Sequence, residues 1–244
     1  MSLRVYVTGQ KAFGAAVAEL VVELGHELVG ACSPAFAEPY VHLHAGWGVE
    51  GARHDRLRAA AERLYVPWVE SCDLTPDDVP SGTIIAAHSH AFVGRRTRAQ
   101  ARLAIGYHPS LLPLHRGRDA IRWALYLGER VLGGSVYHLT DRVDAGPLAS
   151  QDYVLLPAGI EPADAWREHL FPLGLRLLAG VLADAERGFV AFDPQDERLA
   201  TWEPSWERPP LHRPELPELP PADGAAGLDF LGRADAERRR HGQG

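Results

Sequence analysis

Residues 104–148 read AIGYHPSLLPLHRGRDAIRWALYLGERVLGGSVYHLTDRVDAGPL. The apolar run from Leu103 to Ile105 predicts a short buried strand, and it ends in a polar turn carrying His108. A Leu-Leu-Pro loop with basic residues and glycine follows, then a helix-like segment, a second strand, and a loop bearing Asp141 and Asp144. A His after one strand and an Asp after the next is how an open α/β sheet assembles a site, because loops at the carboxyl ends of neighbouring strands converge. His108 and Asp144 are therefore expected to meet.

The flanking chain supports such a sheet. Leu3 to Val7 (LRVYV) predicts a buried strand, Ala12 to Leu24 a helix, and Glu27 to Cys32 (ELVGAC) a second strand, a β-α-β opening with a right-handed crossover. Gly9 and Gly14 lack the tight Gly-x-Gly-x-x-Gly spacing of a dinucleotide site and read as a turn that lets helix and strand pack. Pro34 to Gly51 reads as a loop, His54 to Arg63 as a helix, and Tyr65 to Val69 as a short strand. Thr75-Pro76-Asp77-Asp78 is a helix start, with a Thr cap and Pro at the first helical position. Ile84 to Ala87 predicts a strand delivering His88-Ser89-His90 at its carboxyl end, followed by a polar helix near Arg95 to Arg102. Beyond the central stretch, Leu148 to Leu156 reads as a strand. Glu161 to Arg187 is the longest helical pattern, interrupted by Pro172, with an apolar stripe of Leu170, Leu173, Leu177, Leu178, Val181 and Leu182. Pro204 to Pro221 reads as an extended arm and the last dozen residues as disordered. The fold class is α/β: a mostly parallel open sheet with helices on both faces.

Composition narrows the function. A chain of 244 residues suffices for one α/β domain and an appendage. The net charge of −7 disfavours nucleic acid as a partner, since phosphate binding needs a basic footprint. No apolar run approaches the roughly 18 residues of a membrane span, and the N-terminus lacks a signal peptide's charged start and long apolar core. Two cysteines, Cys32 and Cys72, make no disulfide or metal framework, which points to a reducing cytoplasm.

Gly106-Tyr107-His108-Pro109-Ser110-Leu111-Leu112-Pro113, the turn His115-Arg116-Gly117, and Val143-Asp144-Ala145-Gly146 resemble the motifs of the formyltransferase family, whose members use 10-formyltetrahydrofolate. That family carries Asn-x-His-Pro-Ser-Leu-Leu-Pro, a Gly-rich basic turn, and a Leu-Asp-x-Gly loop, and the 36 residues from His108 to Asp144 also resemble its spacing. The chain departs from the pattern at Gly106, where the family has Asn. Pro194-Gln195-Asp196-Glu197 and Ala200-Thr201-Trp202 resemble a Gln-Asp-x-x-x-Ala-Thr segment that follows the core in several members. The resemblance implies a Rossmann-like catalytic domain over residues 1–190 and a Pro-rich extension over 191–244. It implies a cytoplasmic transferase of one-carbon metabolism that moves a formyl group to an amine. The co-substrate is 10-formyltetrahydrofolate, in a pocket lined by Leu139, Asp141 and Val143 with Ser110 and Leu111. The acceptor is a small molecule or sugar, because the methionyl-tRNA members carry a basic second domain where this chain has an acidic arm. No membrane partner is implied, and a homodimer is compatible.

Formyl transfer passes through a tetrahedral oxyanion, which needs hydrogen-bond donors and a group to manage the amine's proton. The resemblance gives these roles to His108 and Asp144. Gly106 supplies no donor, and His88 or His90 is expected to reach the vacated space. The same residues leave rival readings open. His88, His90, His108 and Asp144 would suit a Zn²⁺-dependent amidohydrolase, although no metal is expected. Hydrolysis of the formylated folate differs only in using water as nucleophile. A fold that binds folate without catalysis is the non-enzymatic alternative.

Overall fold

Alternation in the N-terminal strand sets the architecture. In β1 (Arg4–Gly9) Val5 and Val7 point to one face of the sheet and Tyr6 and Thr8 to the other, and all four are buried. The chain continues through α1 (Lys11–Glu23), β2 (Glu27–Ser33), α2 (Arg56–Arg63), β3 (Trp68–Glu70), β4 (Asp73–Leu74), β5 (Thr83–Ala87), β6 (Phe92–Val93), α3 (Arg95–Gln100) and β7 (Leu103–His108). It ends with α4 (Ala120–Tyr126), β8 (Val131–His138), β9 (Leu148–Leu155), α5 (Pro162–Asp164), a π turn and α6 (Phe171–Glu186). This computed structural model describes residues 2–33, 56–70, 73–74, 82–89, 92–204 and 206. The loop at Pro34–Gly51, the helix start at Thr75, His90 and the chain from residue 207 lie outside the described residues.

The main sheet has seven strands in the order β3-β2-β1-β5-β7-β8-β9. The first five are parallel, and β8 runs antiparallel to both of its neighbours, β7 and β9. The order reverses between β1 and β5, as in doubly wound sheets. The larger core joins Val5, Val7, Ile85 and Ile105 to Phe13 and Val17 of α1, Leu57 of α2 and the stripe of α6. A smaller cluster on the opposite face holds Tyr6, Cys32, Ile84, Val93 and Ala104, with Ala101 at the end of α3 against it. The expected α/β sheet with helices on both faces is thus the observed one, and the fold is Rossmann-like.

All six apolar positions expected along the long helix are buried. Burying such a side chain contributes roughly 1.5–3 kcal/mol. Pro172 marks the interruption. It has no N–H for the carbonyl of residue 168, and its ring would crowd that carbonyl. The chain widens into a π turn at Ala165–Leu170, where the Phe171 N–H bonds the Trp166 carbonyl, five residues back. Gly9 lies where an added Cβ would come within 2.2 Å of the Ala87 carbonyl oxygen, so its role is the close approach of β1 and β5. The described residues as far as Trp206 group into one compact unit. No helix among the described residues is long and apolar enough to cross a membrane.

Candidate active site

The strand carrying His108 runs further than the apolar signal suggests, from Leu103 to His108, because Tyr107 keeps the alternation going. Leu103, Ile105 and Tyr107 join the core beneath α6, so Ala104, Gly106 and His108 face the other side. Tyr107 donates to the Leu170 carbonyl in the π turn at 2.7 Å, and burial pushes its phenol pKa up. It lies away from the face that bears His108.

Asp144 reaches His108 by a route that parallel topology does not foresee. β8 runs antiparallel to β7, pairing Gly106 with Tyr137 and His108 with Ser135. The carboxyl end of β8 therefore lies beside Ile105, away from the end of β7 that carries His108. The loop after it doubles back along the sheet: Leu139 N–H bonds the Ala104 carbonyl and His138 N–H the Pro147 carbonyl. Gly146 permits the tight return, since a Cβ there would sit 1.7 Å from the His138 carbonyl oxygen. Asp144 itself holds a left-handed backbone at φ 51°.

Around this residue the site closes. Asp144 Oδ1 accepts the Tyr137 O–H at 2.6 Å, Oδ2 accepts the Gly117 N–H at 2.8 Å, and Oδ2 lies 3.5 Å from His108 Nδ1. His108, Asp144 and Tyr137 are all buried, at 7%, 8% and 8% exposure, which strengthens their mutual electrostatics. His108 Nε2 is 2.7 Å from the His115 carbonyl, which can only accept, so Nε2 carries a proton and Nδ1 is turned to Asp144. Burial, then the charge of Asp144 and the bond to it, hold the Tyr137 phenol well above its ordinary pKa.

The basic turn and the segment after the long helix lock these loops together. Thr201 accepts the His115 N–H at its hydroxyl and gives its own N–H to the Pro113 carbonyl. The buried Arg116 guanidinium donates to Gln195 and Glu197. Gln195 Nε2 donates to the carbonyls of Asp144 and Gly146 at 2.8 and 2.6 Å. His115 sits between Glu129 and Glu203, at 3.0 and 3.1 Å. Trp202 covers Gly117, where a Cβ would meet its ring at 3.2 Å.

The structure brings His108 and Asp144 together but directs His88 elsewhere. His88 has φ 56°, and its ring packs edge-on against Trp166 at 5.7 Å. The left-handed backbone turns it off the face that alternation would give it. The space beside Gly106 is filled instead by Tyr137 and Leu139, which a Cβ would meet at 3.2 and 3.0 Å. Asp141 pairs with Arg95 and Arg98 on α3, and those bonds lower its carboxyl pKa. Ser110 gives its hydroxyl to the Leu114 carbonyl, and Leu111 packs where a Cβ of Gly133 would stand. Leu139 flanks Gly106, while Val143 is exposed. Among the described residues no group of three or more His, Cys, Asp or Glu is placed to hold a metal ion. Sequence reasoning missed Tyr137, and the pairing of Gly106 with it across two antiparallel strands is its only signal.

Fold and site together define a Rossmann-like domain with a buried His–Asp pair at the end of a central strand. Residues 81–164 match the family described as formyl transferase. Over 119 residues the chain is 34% identical to mitochondrial 10-formyltetrahydrofolate dehydrogenase of Mus musculus, covering 43% of this chain and 12% of that protein. It is 30% identical over 212 residues to methionyl-tRNA formyltransferase of Chloroflexus aurantiacus, covering 82% of this chain and 64% of that enzyme. The solved N-formyltransferase of Helicobacter canadensis, in complex with folinic acid and dTDP-3-aminofucose, shares the fold. Its TM-score is 0.63 at 10% identity, over 82% of this chain and 70% of that one. The sequence likeness to formyltransferases is thus strongest over residues 81–164, and the chain spans less than two thirds of the length of these two sequence relatives.

Proposed function

We propose that this domain moves a formyl group from 10-formyltetrahydrofolate to the amine of a small molecule or sugar. The observation that carries this reading is the buried pairing of His108 with Asp144, 3.5 Å apart, on a domain whose residues 81–164 match the formyl transferase family. An attacking amine must lose a proton as its bond to the formyl carbon forms, and a carboxylate at hydrogen-bond reach accepts it. Asp144 has that role. His108, its ring fixed by the His115 carbonyl, stands with Nδ1 3.5 Å from Asp144 Oδ2 and walls the site beside the carboxylate. The 139–144 loop, with the Asp141 carboxylate already engaged by arginines, offers backbone groups to the pterin. The formal charge of −7 favours a small acceptor over a nucleic acid.

Thermal unfolding with 5-formyltetrahydrofolate, a stable analogue of the reactive folate, tests the co-substrate. At about 100-fold over Kd, binding adds about 2.7 kcal/mol, which raises Tm by roughly 5–11 °C at this size. A shift of that order, followed by formyl transfer to one of a panel of amines and amino sugars, is the expected result. The absence of any shift at saturating concentration would overturn the reading.

A further inference from the structure

We propose that Tyr137 is a catalytic residue of this site, its phenol O–H being the donor that meets the formyl oxygen as it becomes an oxyanion. This rests on the formyl-transfer reading above. Acyl transfer needs a donor at that oxygen that can turn to it as the charge develops. His108 Nε2–H stays held by the His115 carbonyl; the Gly117 N–H and the Tyr137 O–H both go to Asp144, and of these two only the hydroxyl can rotate about its own C–O bond. Gly106 brings no side chain. Its place is taken by the ring of its cross-strand partner, for Tyr137 Cε1 and Cζ stand 3.2 Å from where a Cβ at 106 would be. Glycine at 106 and tyrosine at 137 are therefore one arrangement: the missing side chain makes room for the phenol. The hydroxyl that enters is buried, neutral and 2.6 Å from Asp144 Oδ1, on the face that carries His108.

The step balances within this set. The acceptor nitrogen bonds to the formyl carbon while the carbonyl π pair moves to oxygen, and Asp144 takes a proton from that nitrogen. The carboxyl group, now neutral, is the weaker acceptor, and the Tyr137 O–H rotates from Oδ1 to the oxyanion. The oxyanion pair then restores the carbonyl, the bond to the folate nitrogen breaks with its electrons, and Asp144 returns the proton to that nitrogen.

The test uses the full chain as wild type, as Tyr137→Phe, and with 3-fluorotyrosine at position 137. Tetrahydrofolate release from 10-formyltetrahydrofolate is followed across pH with hydroxylamine as the acceptor probe. Tyr137→Phe should lose on the order of 10²–10³ in kcat at every pH while keeping the wild-type melting shift with 5-formyltetrahydrofolate. The fluorinated phenol, a stronger donor, should raise kcat. A phenylalanine variant within a few-fold of wild type, or one whose loss is recovered at higher pH, overturns the proposal, the latter because Tyr137 would then only tune Asp144. A wild-type protein with neither melting shift nor tetrahydrofolate release overturns the formyl-transfer reading itself, and this proposal with it.

Discussion

Asp144 is constrained at its side chain and its backbone alike. Its two carboxylate oxygens accept from a phenol and a backbone amide, and its backbone is left-handed. Asp144→Asn preserves the shape and removes the carboxylate proposed to accept the amine's proton. Formyl transfer should fall by about 10²–10⁴, with the 5-formyltetrahydrofolate melting shift retained. At Gly106 the magnitudes separate structure from function. An added Cβ meets Leu139 and Tyr137 at 3.0–3.2 Å, a squeeze that both side chains can relieve by moving a few tenths of an ångström. Gly106→Ala should therefore cost no more than about 1 kcal/mol in urea unfolding, at the mild end of overpacking. The same movement draws the phenol away from Asp144, so kcat should fall by more than the stability loss implies.

Two elements support the site from opposite sides of the sheet. The segment from Gln195 to Thr201 ties the basic turn to the Asp144 loop, largely through side chains reaching main-chain groups. Gln195→Ala would leave the Asp144 and Gly146 carbonyls without that donor and cost about 1–3 kcal/mol. Its kcat should drop with the loosened loop, read by steady-state kinetics against the melting curve. On the other face Gly174 of α6 touches Tyr107 and Phe13, where a Cβ would stand 2.6 and 2.9 Å from their rings. Those rings are packed by Trp166 and Phe171 and have little room. Gly174→Ala should destabilise by about 1–3 kcal/mol, and the folded fraction should bind 5-formyltetrahydrofolate as wild type does, since this face carries none of the site. Equal loss of binding at temperatures where the variant is folded would contradict that separation.

For the molecule as a whole, acid is the informative perturbation. Glu197 is drawn down to about 2 by its hydrogen bonds to Arg116 and Arg142, and Asp141, Asp152 and Asp196 are lowered by their arginines. A carboxylate with a depressed folded pKa stabilises fully above its unfolded value, about 4.3 for Glu, and that contribution disappears as pH falls through the folded one. Stability should therefore decline between about pH 4.3 and pH 2. Glu197→Gln should flatten that limb in a pH series of melting temperatures. The Glu197 side chain is 49% exposed, so added salt should shrink the difference between wild type and variant.

The sequence by itself determined the main elements and the pair of His108 with Asp144. The apolar runs of β1, β5 and β7, the apolar stripe of α6, and the order His108 then Asp144 are local patterns, legible because strands buried on both faces and a helix packed on one face need apolar residues at fixed positions. The tertiary structure decided how those elements meet. The antiparallel setting of β8 sets Tyr137 against Gly106 and sends the Asp144 loop back over the sheet. A left-handed backbone turns His88 to Trp166, and Gln195 and Thr201 reach loops some 50–90 positions away in the chain. Strand direction, register and side-chain-to-backbone bonds join residues distant in sequence, and nothing in the local periodicity of either partner encodes which other it will meet.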